Sequence, residues 1–289
     1  MTALADLPVI AAHETGASLR DDLRAVWVIW RRELIRFLRD RIRIVTSLAQ
    51  PILFLFILGT GLSPLVQSGT GPSFDFRTFM FPGVVAMTVL FTSIFSAVSV
   101  VWDREFGFLR EILVAPVSRS AIVLGKCLGG ATVATIQGCL MLALAGFVHI
   151  PYAPVLLATL VGEMAPTAFV LTAFGLLLAS RMQQVQSFQV VVQFFVLPIF
   201  FLSGAMFPLR GLPGWLAALA KVDPLSYAVD PMRRAVLAHV SVPAALNQTL
   251  NPGISWNSWR LPVLLELGVI AGLGVVMLLI TIVEFSRTE

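Results

Sequence analysis

The sequence predicts an all-α polytopic membrane protein in which an amphipathic helix precedes six transmembrane helices. Of the 289 residues, 57% are apolar and only 12% are charged, whereas a soluble domain carries about twice that charged fraction. Six runs of the chain approach or exceed the roughly 20 apolar residues that cross a bilayer. The net charge of +4 comes without a basic stripe interleaved with aromatic residues, which argues against nucleic-acid binding.

The chain begins with a segment of mixed composition. Residues 1–19 contain Pro8 and Gly16 and have no long apolar core followed by a cleavage site. They therefore predict a partly disordered cytoplasmic tail and no signal peptide.

Residues 20–43 predict an amphipathic helix. Its apolar residues recur at helical spacing and share one face, namely Leu23, Val26, Trp27, Trp30, Leu34, Phe37 and Leu38. Arginines occupy the rest of the helix surface. A basic helix with tryptophans on its apolar side suits the membrane interface. An ordinary helix that packs on a soluble partner is the alternative.

The predicted spans are separated by short connections. They cover residues 44–62, 79–101, 121–148, 155–180, 187–207 and 261–285. Pro51 and Pro166 interrupt the first and fourth spans, which membrane helices tolerate when neighbouring groups satisfy the freed carbonyl. Residues 63–78 contain several glycines and prolines and predict a loop. Trp102 is expected to anchor the end of the second span at the membrane interface.

A long connection precedes the last span. Residues 208–260 contain six prolines, so they cannot form one continuous transmembrane helix. They predict two short helices, over 213–221 and 224–239, the second introduced by Asp223 as its N-cap. We expect both to enter the outer leaflet as re-entrant helices within residues 213–239.

The orientation follows from the distribution of Lys and Arg. With the N-terminus in the cytoplasm, the cytoplasmic segments carry fourteen Lys and Arg and the outer segments carry six. Because these residues accumulate on the cytoplasmic side, the count predicts a multi-pass protein of the cytoplasmic (inner) membrane with both termini cytoplasmic. Residues 102–126 then lie in the cytoplasm.

Residues 102–126 stand out because they carry seven charged residues between two uncharged runs. On a helix, an apolar face formed by Phe106, Leu109, Ile112 and Leu113 is bordered by Glu105, Arg110, Glu111 and Arg119. An apolar anchor with a charged rim fits a groove in a partner protein. A solvated connector is the alternative, and the residues alone leave the two interpretations even. Lys126 is expected to extend its amine toward water.

Several short motifs follow one another in a recognisable order. They are Pro82-Gly83, then Trp102, Arg104 and Gly107, then Ile112-Leu113-Val114-Ala115-Pro116-Val117-Ser118-Arg119 and Gly125-Lys126, and later Gly204, Phe207-Pro208, Leu212-Pro213-Gly214-Trp215-Leu216 and Asp223-Pro224-Leu225-Ser226-Tyr227. In this order they resemble the membrane subunit of ABC-2-type exporters, a group with daunorubicin-resistance, nodulation-factor and polysaccharide exporter permeases. The resemblance covers roughly residues 25–285.

The resemblance implies an interfacial helix, a six-span domain over residues 44–285, a coupling helix and two re-entrant helices. It implies that two permease subunits, identical or paralogous, pair in the membrane lipid and that each engages a separate ATPase. The coupling segment, residues 102–120, would dock in a groove of that ATPase. The candidate coupling residues are Glu105, Phe106, Gly107, Leu109, Arg110, Glu111, Leu113, Pro116 and Arg119.

The sequence does not predict an enzyme. Gly125-Lys126 is the only Gly-Lys pair, and it lacks the earlier glycine that a phosphate loop requires. We therefore expect no catalytic residue, no metal site and no cofactor in this chain, with ATP and Mg²⁺ bound by the partner ATPase. Cys127 and Cys139 lie about 18 Å apart on one predicted helix, beyond the reach of a disulfide.

Two spans carry polar stripes. The stripe of the second span consists of Thr88, Thr92, Ser96 and Ser99, and that of the fifth consists of Gln186, Gln189 and Gln193. Polar side chains in a span must face protein or water, so we expect both stripes to line the substrate pathway. Hydrogen bonding between helices is the alternative, and it has nearly equal weight for the hydroxyl groups.

Two acidic residues lie inside predicted spans, Glu163 in the fourth and Glu266 in the sixth. Such residues are functional candidates because a charge in the membrane is costly. They could form a proton relay, or they could pair with Arg233 or Arg234 and hold the re-entrant helices. We favour the pairing, because no second titratable group inside the membrane forms a chain with them.

Together the residues and the resemblance predict the permease subunit of an ATP-driven exporter. Its expected substrate is an amphipathic drug, a lipid or a lipid-linked glycan, because the spans leave little room for a large aqueous cavity. Export follows from the resemblance alone. A gradient-driven secondary transporter is the alternative, and it would predict inverted repeats. A membrane-embedded transferase would need clustered acids or histidines at one interface.

Overall fold

The computed structural model describes residues 19–70, 75–107, 117–209, 212–240, 250, 253–256 and 259–287, with residues 65–70 described by their backbone alone. The tail predicted over residues 1–19 lies outside the described residues except for Leu19.

The described chain is almost entirely helical. Its helices are α1 (Leu19–Arg39), α2 (Arg41–Leu53), a π-helical turn (Phe54–Leu58), α3 (Gly59–Thr70), α4 (Phe76–Ser96), α5 (Val98–Glu105), α6 (Arg119–Leu142), a 3₁₀ turn (Ala145–Val148), α7 (Pro154–Ser180), α8 (Val185–Leu202), α9 (Gly214–Val222), α10 (Ser226–Ala238) and α11 (Val263–Arg287). Two short antiparallel strands, β1 (Ser255–Trp256) and β2 (Trp259–Arg260), form a hairpin before α11.

Six helical stretches in the described part of the chain are long and apolar enough to cross a membrane. They are Arg41–Pro64, Phe76–Glu105, Arg119–Leu142, Pro154–Ser180, Val185–Leu202 and Val263–Arg287. The predicted fold class, an all-α polytopic membrane protein with six spans, is confirmed. The two short helices predicted before the last span are present as α9 and α10. The predicted N-cap is wrong, because α10 begins at Ser226 and its N-cap is Leu225 rather than Asp223.

The loop predicted over residues 63–78 is wrong in its first half. Helix α3 continues through Pro64 to Thr70, and the Ser63 hydroxyl donates to the carbonyl of Gly59 at 2.6 Å. A helix tolerates proline here because it loses one donor while the hydrogen bonds around it persist. Pro51 is likewise accommodated inside α2, and a π-helical turn follows it.

Helix α4 forms the centre of the bundle and packs against α6, α7 and α10. Within its most apolar window, 78% of the residues are buried, compared with 17% in the first span and 22% in both the fifth and the sixth. The first, fifth and sixth spans therefore present mostly open apolar faces, which in a bilayer meet lipid or another subunit.

Helix α1 is packed along α6 through a seam of small residues. A Cβ added at Gly125 would lie 2.9 Å from Cβ of Ile29, and one added at Gly129 would lie 2.9 Å from Cβ of Glu33. The indole nitrogen of Trp30 donates to the hydroxyl of Thr132 at 3.0 Å. Glycine allows this close approach because it has no side chain to separate the helices. The opposite, apolar edge of α1 stays exposed, at Leu23, Trp27 and Leu38.

Candidate functional site

The charged segment singled out in the sequence begins at one end of the bundle. We call this the Trp102 end, defined by residues 102–107 and 117–126, where α5, α7 and α11 end and α6 and α8 begin. The other end, which carries the β-hairpin, is called the Trp256 end.

A buried lysine lies at the Trp102 end. Lys126 is 4% exposed, and its amine lies 2.6 Å from the carboxylate of Asp103 and 3.8 Å from that of Glu33. It also donates to the hydroxyl of Ser99 at 3.2 Å. The expectation that Lys126 reaches water is therefore wrong, because two carboxylates compensate its charge inside the protein. This ionic cluster joins α1, α5 and α6.

The two residues that end α5 bond to the link between α7 and α8. The guanidinium of Arg104 donates to the carbonyls of Ala179, Ser180 and Met182 at 3.2, 3.0 and 2.8 Å. The carboxylate of Glu105 accepts a hydrogen bond from the backbone N–H of Val185 at 2.8 Å. A cation thus meets the carboxyl end of one helix and an anion meets the amino end of the next, as helix dipoles favour.

On the far side of the coupling segment, Arg119 bonds to the last turn of α11. Its guanidinium donates to the carbonyls of Phe285 and Ser286 at 3.2 and 3.1 Å. Glu105 and Arg119 were expected to form a charged rim for a partner protein. In the structure both side chains bond to the bundle itself, Glu105 remains exposed, and their place in a rim for the ATPase stays a prediction.

Two of the other candidate coupling residues are described. Phe106 is 67% exposed, and Gly107 adopts a φ of 80° with no atom near its missing Cβ. A positive φ suits glycine, because other residues are strained in this region. The remaining candidates, Leu109, Arg110, Glu111, Leu113 and Pro116, lie outside the described residues.

The hydroxyl stripe of the second span faces the protein interior. Thr88, Thr92 and Ser99 are 1%, 8% and 6% exposed, and Ser96 is half-buried. The hydroxyl of Thr88 donates to the carbonyl of Val84 at 2.9 Å, within its own helix. In the isolated subunit this stripe faces the packed interior, and its role in the substrate pathway stays a prediction. The hydroxyl of Ser96 donates to the carbonyl of Ser93, that of Ser99 accepts from Lys126, and that of Thr92 has no hydrogen-bond partner among the described residues.

The glutamine stripe of the fifth span points outward. Gln186, Gln189 and Gln193 are all exposed, on the same side of α8 as Val190 and Phe194, which are 67% and 73% exposed. Exposed amides in the middle of an apolar helix are costly against lipid. This face therefore suits water or another protein surface better than hydrocarbon.

A buried glutamine that the sequence reasoning missed joins α6 to the first span. The side-chain amide of Gln137 donates to the carbonyl of Ile44 at 3.1 Å and to the hydroxyl of Ser47 at 2.8 Å. Gln137 is 0% exposed. Gln137 is an isolated amide in a mostly apolar run, so the sequence shows no periodic pattern of polar residues that would single it out.

The Trp256 end contains a second ionic cluster. Glu266, which is 0% exposed, lies 2.9 Å from Arg234, and Arg234 also pairs with Asp230. The pairing expected for Glu266 is thus present, and it ties α10 to α11. Glu163 is buried, but among the described residues it forms no ion pair with either candidate arginine. Arg233 instead donates to the carbonyl of Gly204 at 2.6 Å.

The turn between α9 and α10 is organised by a buried carboxyl group. Asp223 accepts hydrogen bonds from the backbone N–H of Leu225 at 3.2 Å and from the hydroxyl of Ser226 at 3.1 Å. Burial nevertheless raises the pKa of Asp223 to about 7, because desolvation disfavours the charged form.

Among the described residues, no group of three or more His, Cys, Asp or Glu is placed to hold a metal ion.

Comparison with known proteins identifies the family of this chain. Residues 24–237 match the family model described as "ABC-2 type transporter". The chain belongs to the ABC-2 type transporter family. It is therefore a membrane permease subunit of an ABC transporter, as the motifs around Pro116 and Pro213 indicated. In this family the ATPase activity lies in a separate subunit.

Three similar proteins illustrate the range of this permease family. The protein named "Putative transport permease ycf38" from Cyanophora paradoxa is 26% identical over 221 residues, which are 73% of this chain and 73% of that protein. "Probable multidrug ABC transporter permease YbhR" from Escherichia coli K12 is 30% identical over 203 residues, 69% of this chain and 52% of YbhR. "Nodulation protein J" from Rhizobium meliloti is 29% identical over 231 residues, 76% of this chain and 85% of that protein. The match thus spans about half the length of YbhR.

Proposed function

We propose that this permease exports an amphipathic drug, a lipid or a lipid-linked glycan across the cytoplasmic membrane, driven by ATP hydrolysis in a separate subunit. One relative is named as a multidrug permease and another as a nodulation protein, and both names are compatible with amphipathic cargo. The open apolar faces of the first, fifth and sixth spans also favour a substrate that reaches the protein from the lipid.

The Trp102 end supports the proposal, because the two described ends of its coupling segment, residues 102–107 and 117–120, are bonded to the bundle. Arg104 and Glu105 bond to the bundle on one side, and Arg119 bonds to it on the other. Next to Glu105, Phe106 is exposed, and among the described residues no atom lies within 4 Å of a Cβ added at Gly107. An exposed aromatic side chain on a fixed base is a typical anchor for a groove in a partner.

A second copy of this chain, or a paralogue, would cover the glutamine face of α8. Gln189 and Gln193 would then face a cleft between the two subunits, where water and polar groups satisfy their amides. This cleft is the substrate pathway in the proposal. The Trp102 end would face the cytoplasm, consistent with the excess of Lys and Arg in the segments on that side.

The docking step can be tested with a matched pair of aromatic substitutions. Phe106 is 67% exposed at the Trp102 end, and Phe147 is 66% exposed at the opposite end. The permease, tagged and expressed with its ATPase, is purified as wild type, as Phe106→Ala and as Phe147→Ala. We expect Phe106→Ala to weaken binding of the ATPase at least about tenfold, because truncating an aromatic anchor costs 2 kcal/mol or more.

The control variant, Phe147→Ala, should bind the ATPase as the wild type does. Equal binding by all three proteins would contradict docking through the coupling segment. Equal loss in both variants would instead indicate a general defect of folding.

A further inference from the structure

Three helix ends meet around the two residues that close α5. The guanidinium of Arg104 lies at the carboxyl end of α7, and the carboxylate of Glu105 lies at the amino end of α8. The same guanidinium is stacked 5.9 Å above the centre of the Phe285 ring, in the last turn of α11. One dipeptide therefore contacts the ends of α7, α8 and α11.

These contacts use backbone groups that have no partner within their own helices. The last four carbonyls and the first four N–H groups of a helix lack intrahelical hydrogen bonds. Arg104 donates to carbonyls at the end of α7. The carboxylate of Glu105 accepts from the backbone N–H of Val185, the first residue of α8. The positive Arg104 lies at the negative end of the α7 dipole, and the negative Glu105 lies at the positive end of the α8 dipole. Both charges therefore stabilise the helix ends that they contact.

The other end of the coupling segment repeats the arrangement. Arg119, the first residue of α6, donates to carbonyls in the last turn of α11. Next to it, the backbone N–H of Ser118 donates to the carboxylate of Asp22 on α1 at 2.9 Å. The described ends of the coupling segment are therefore bonded to helix ends on both sides.

We propose that Arg104, Glu105 and Arg119 are positioning residues that transmit movement of the coupling segment to α7, α8 and α11. The inference rests on the proposed function, since the movement comes from the ATPase docked on that segment. It assigns the side chains of Glu105, which is exposed, and Arg119 to bonds with helix ends rather than to the ATPase surface. Arg181 belongs to the same end, and its side chain, which is 66% exposed, pairs with the side chain of Glu284 at 2.6 Å.

The test follows the amino end of α8 in the assembled transporter. Cys127 and Cys139 are replaced by Ala, and Ser187, which is exposed in the first turn of α8, is replaced by Cys and labelled with an environment-sensitive dye. The permease is reconstituted with its ATPase, and the dye response to MgATP with vanadate is measured. ATPase binding, basal ATP hydrolysis and thermal unfolding are measured on the same samples.

The variants separate transmission from docking. In Arg104→Gln, Glu105→Gln and Arg119→Gln we expect the dye response to fall at least about fivefold, the lower end of typical coupling factors, while ATPase binding and basal hydrolysis persist. Arg104→Lys should restore part of the response, because it keeps the positive charge at the end of α7. Arg181→Gln, the matched control, should respond as the wild type does.

Each other outcome has a distinct meaning. A full dye response in the three glutamine variants would overturn the inference. Loss of ATPase binding in them would also overturn it, since the residues would then belong to the docking surface. Absence of a response in the wild-type complex would contradict the proposed function itself. If Arg104→Gln does not fold, Glu105→Gln and Arg119→Gln carry the same test, because each affects a different helix end.

Discussion

Replacing Lys126 by Met tests the ionic cluster that joins α1, α5 and α6. The substitution keeps an unbranched side chain of similar length, so the packing changes little. It removes the positive charge that lies 2.6 Å from Asp103 and 3.8 Å from Glu33. The side chains of these two acids are only 15% and 13% exposed, so their charges become buried and poorly compensated.

The expected loss can be derived from the geometry. Removing one partner of a buried ion pair costs about 3–5 kcal/mol. The lower limit applies here, because Arg32 remains 3.6 Å from Asp103 and 3.3 Å from Glu33. A loss of about 3 kcal/mol lowers the Tm by about 6–12 °C, at 2–4 °C per kcal/mol. Adding Asp103→Asn should recover part of this loss, because one of the two unpaired charges is then absent.

Thermal unfolding of the purified permease in detergent, followed by tryptophan fluorescence, measures these shifts. Arg181→Met serves as the control, because the Arg181 side chain in its ion pair with Glu284 is 66% exposed and such a surface pair is worth about 1 kcal/mol or less. The reasoning is refuted if Lys126→Met unfolds at the temperature of the wild type, or if Asp103→Asn makes the double variant less stable still.

Three further substitutions probe other parts of the molecule. Gly83→Ala should lower the Tm and the yield of folded protein, since the new Cβ would lie 2.6 Å from Cα of Ala205 and such overpacking costs about 1–3 kcal/mol; an unchanged Tm would show that this contact relaxes freely. Replacing Gln189 and Gln193 together by Leu should change the transport rate without loss of assembly, as measured in proteoliposomes, and an unchanged rate would exclude them from the pathway. Glu266→Gln should lower the Tm, because its arginine partner loses a buried carboxylate, and wild-type transport should not respond when the proton gradient is collapsed; a response would favour a proton relay.

The number and order of the spans were readable from the sequence, because each span is a long apolar run with few charges. The start of the loop before the second span was predicted wrongly. Glycine and proline between residues 63 and 72 are typical of loops, yet α3 includes Pro64 and ends at Thr70. Such local signals mark a weak point in a helix without fixing where the helix ends.

The side-chain environments could not be read from one-dimensional patterns. Thr88 and Gln189 both lie on polar stripes. The hydroxyl of Thr88 donates to a backbone carbonyl of its own helix, whereas the amide of a glutamine does not usually form such a local hydrogen bond. The ionic partners of Lys126 and the hydrogen-bond partners of Arg104 are brought to them by packing from up to 93 and 78 residues away. Only the arrangement of the helices reveals those contacts.

The most direct test of the account measures what drives transport. Inside-out membrane vesicles containing this permease alone, or together with its ATPase, are supplied with a fluorescent phospholipid analogue and with lipophilic fluorescent dyes. The account predicts vanadate-sensitive transport of at least one probe that requires both ATP and the ATPase subunit and that persists when the proton gradient is collapsed. Transport by the permease alone, driven by an imposed proton gradient, would contradict it.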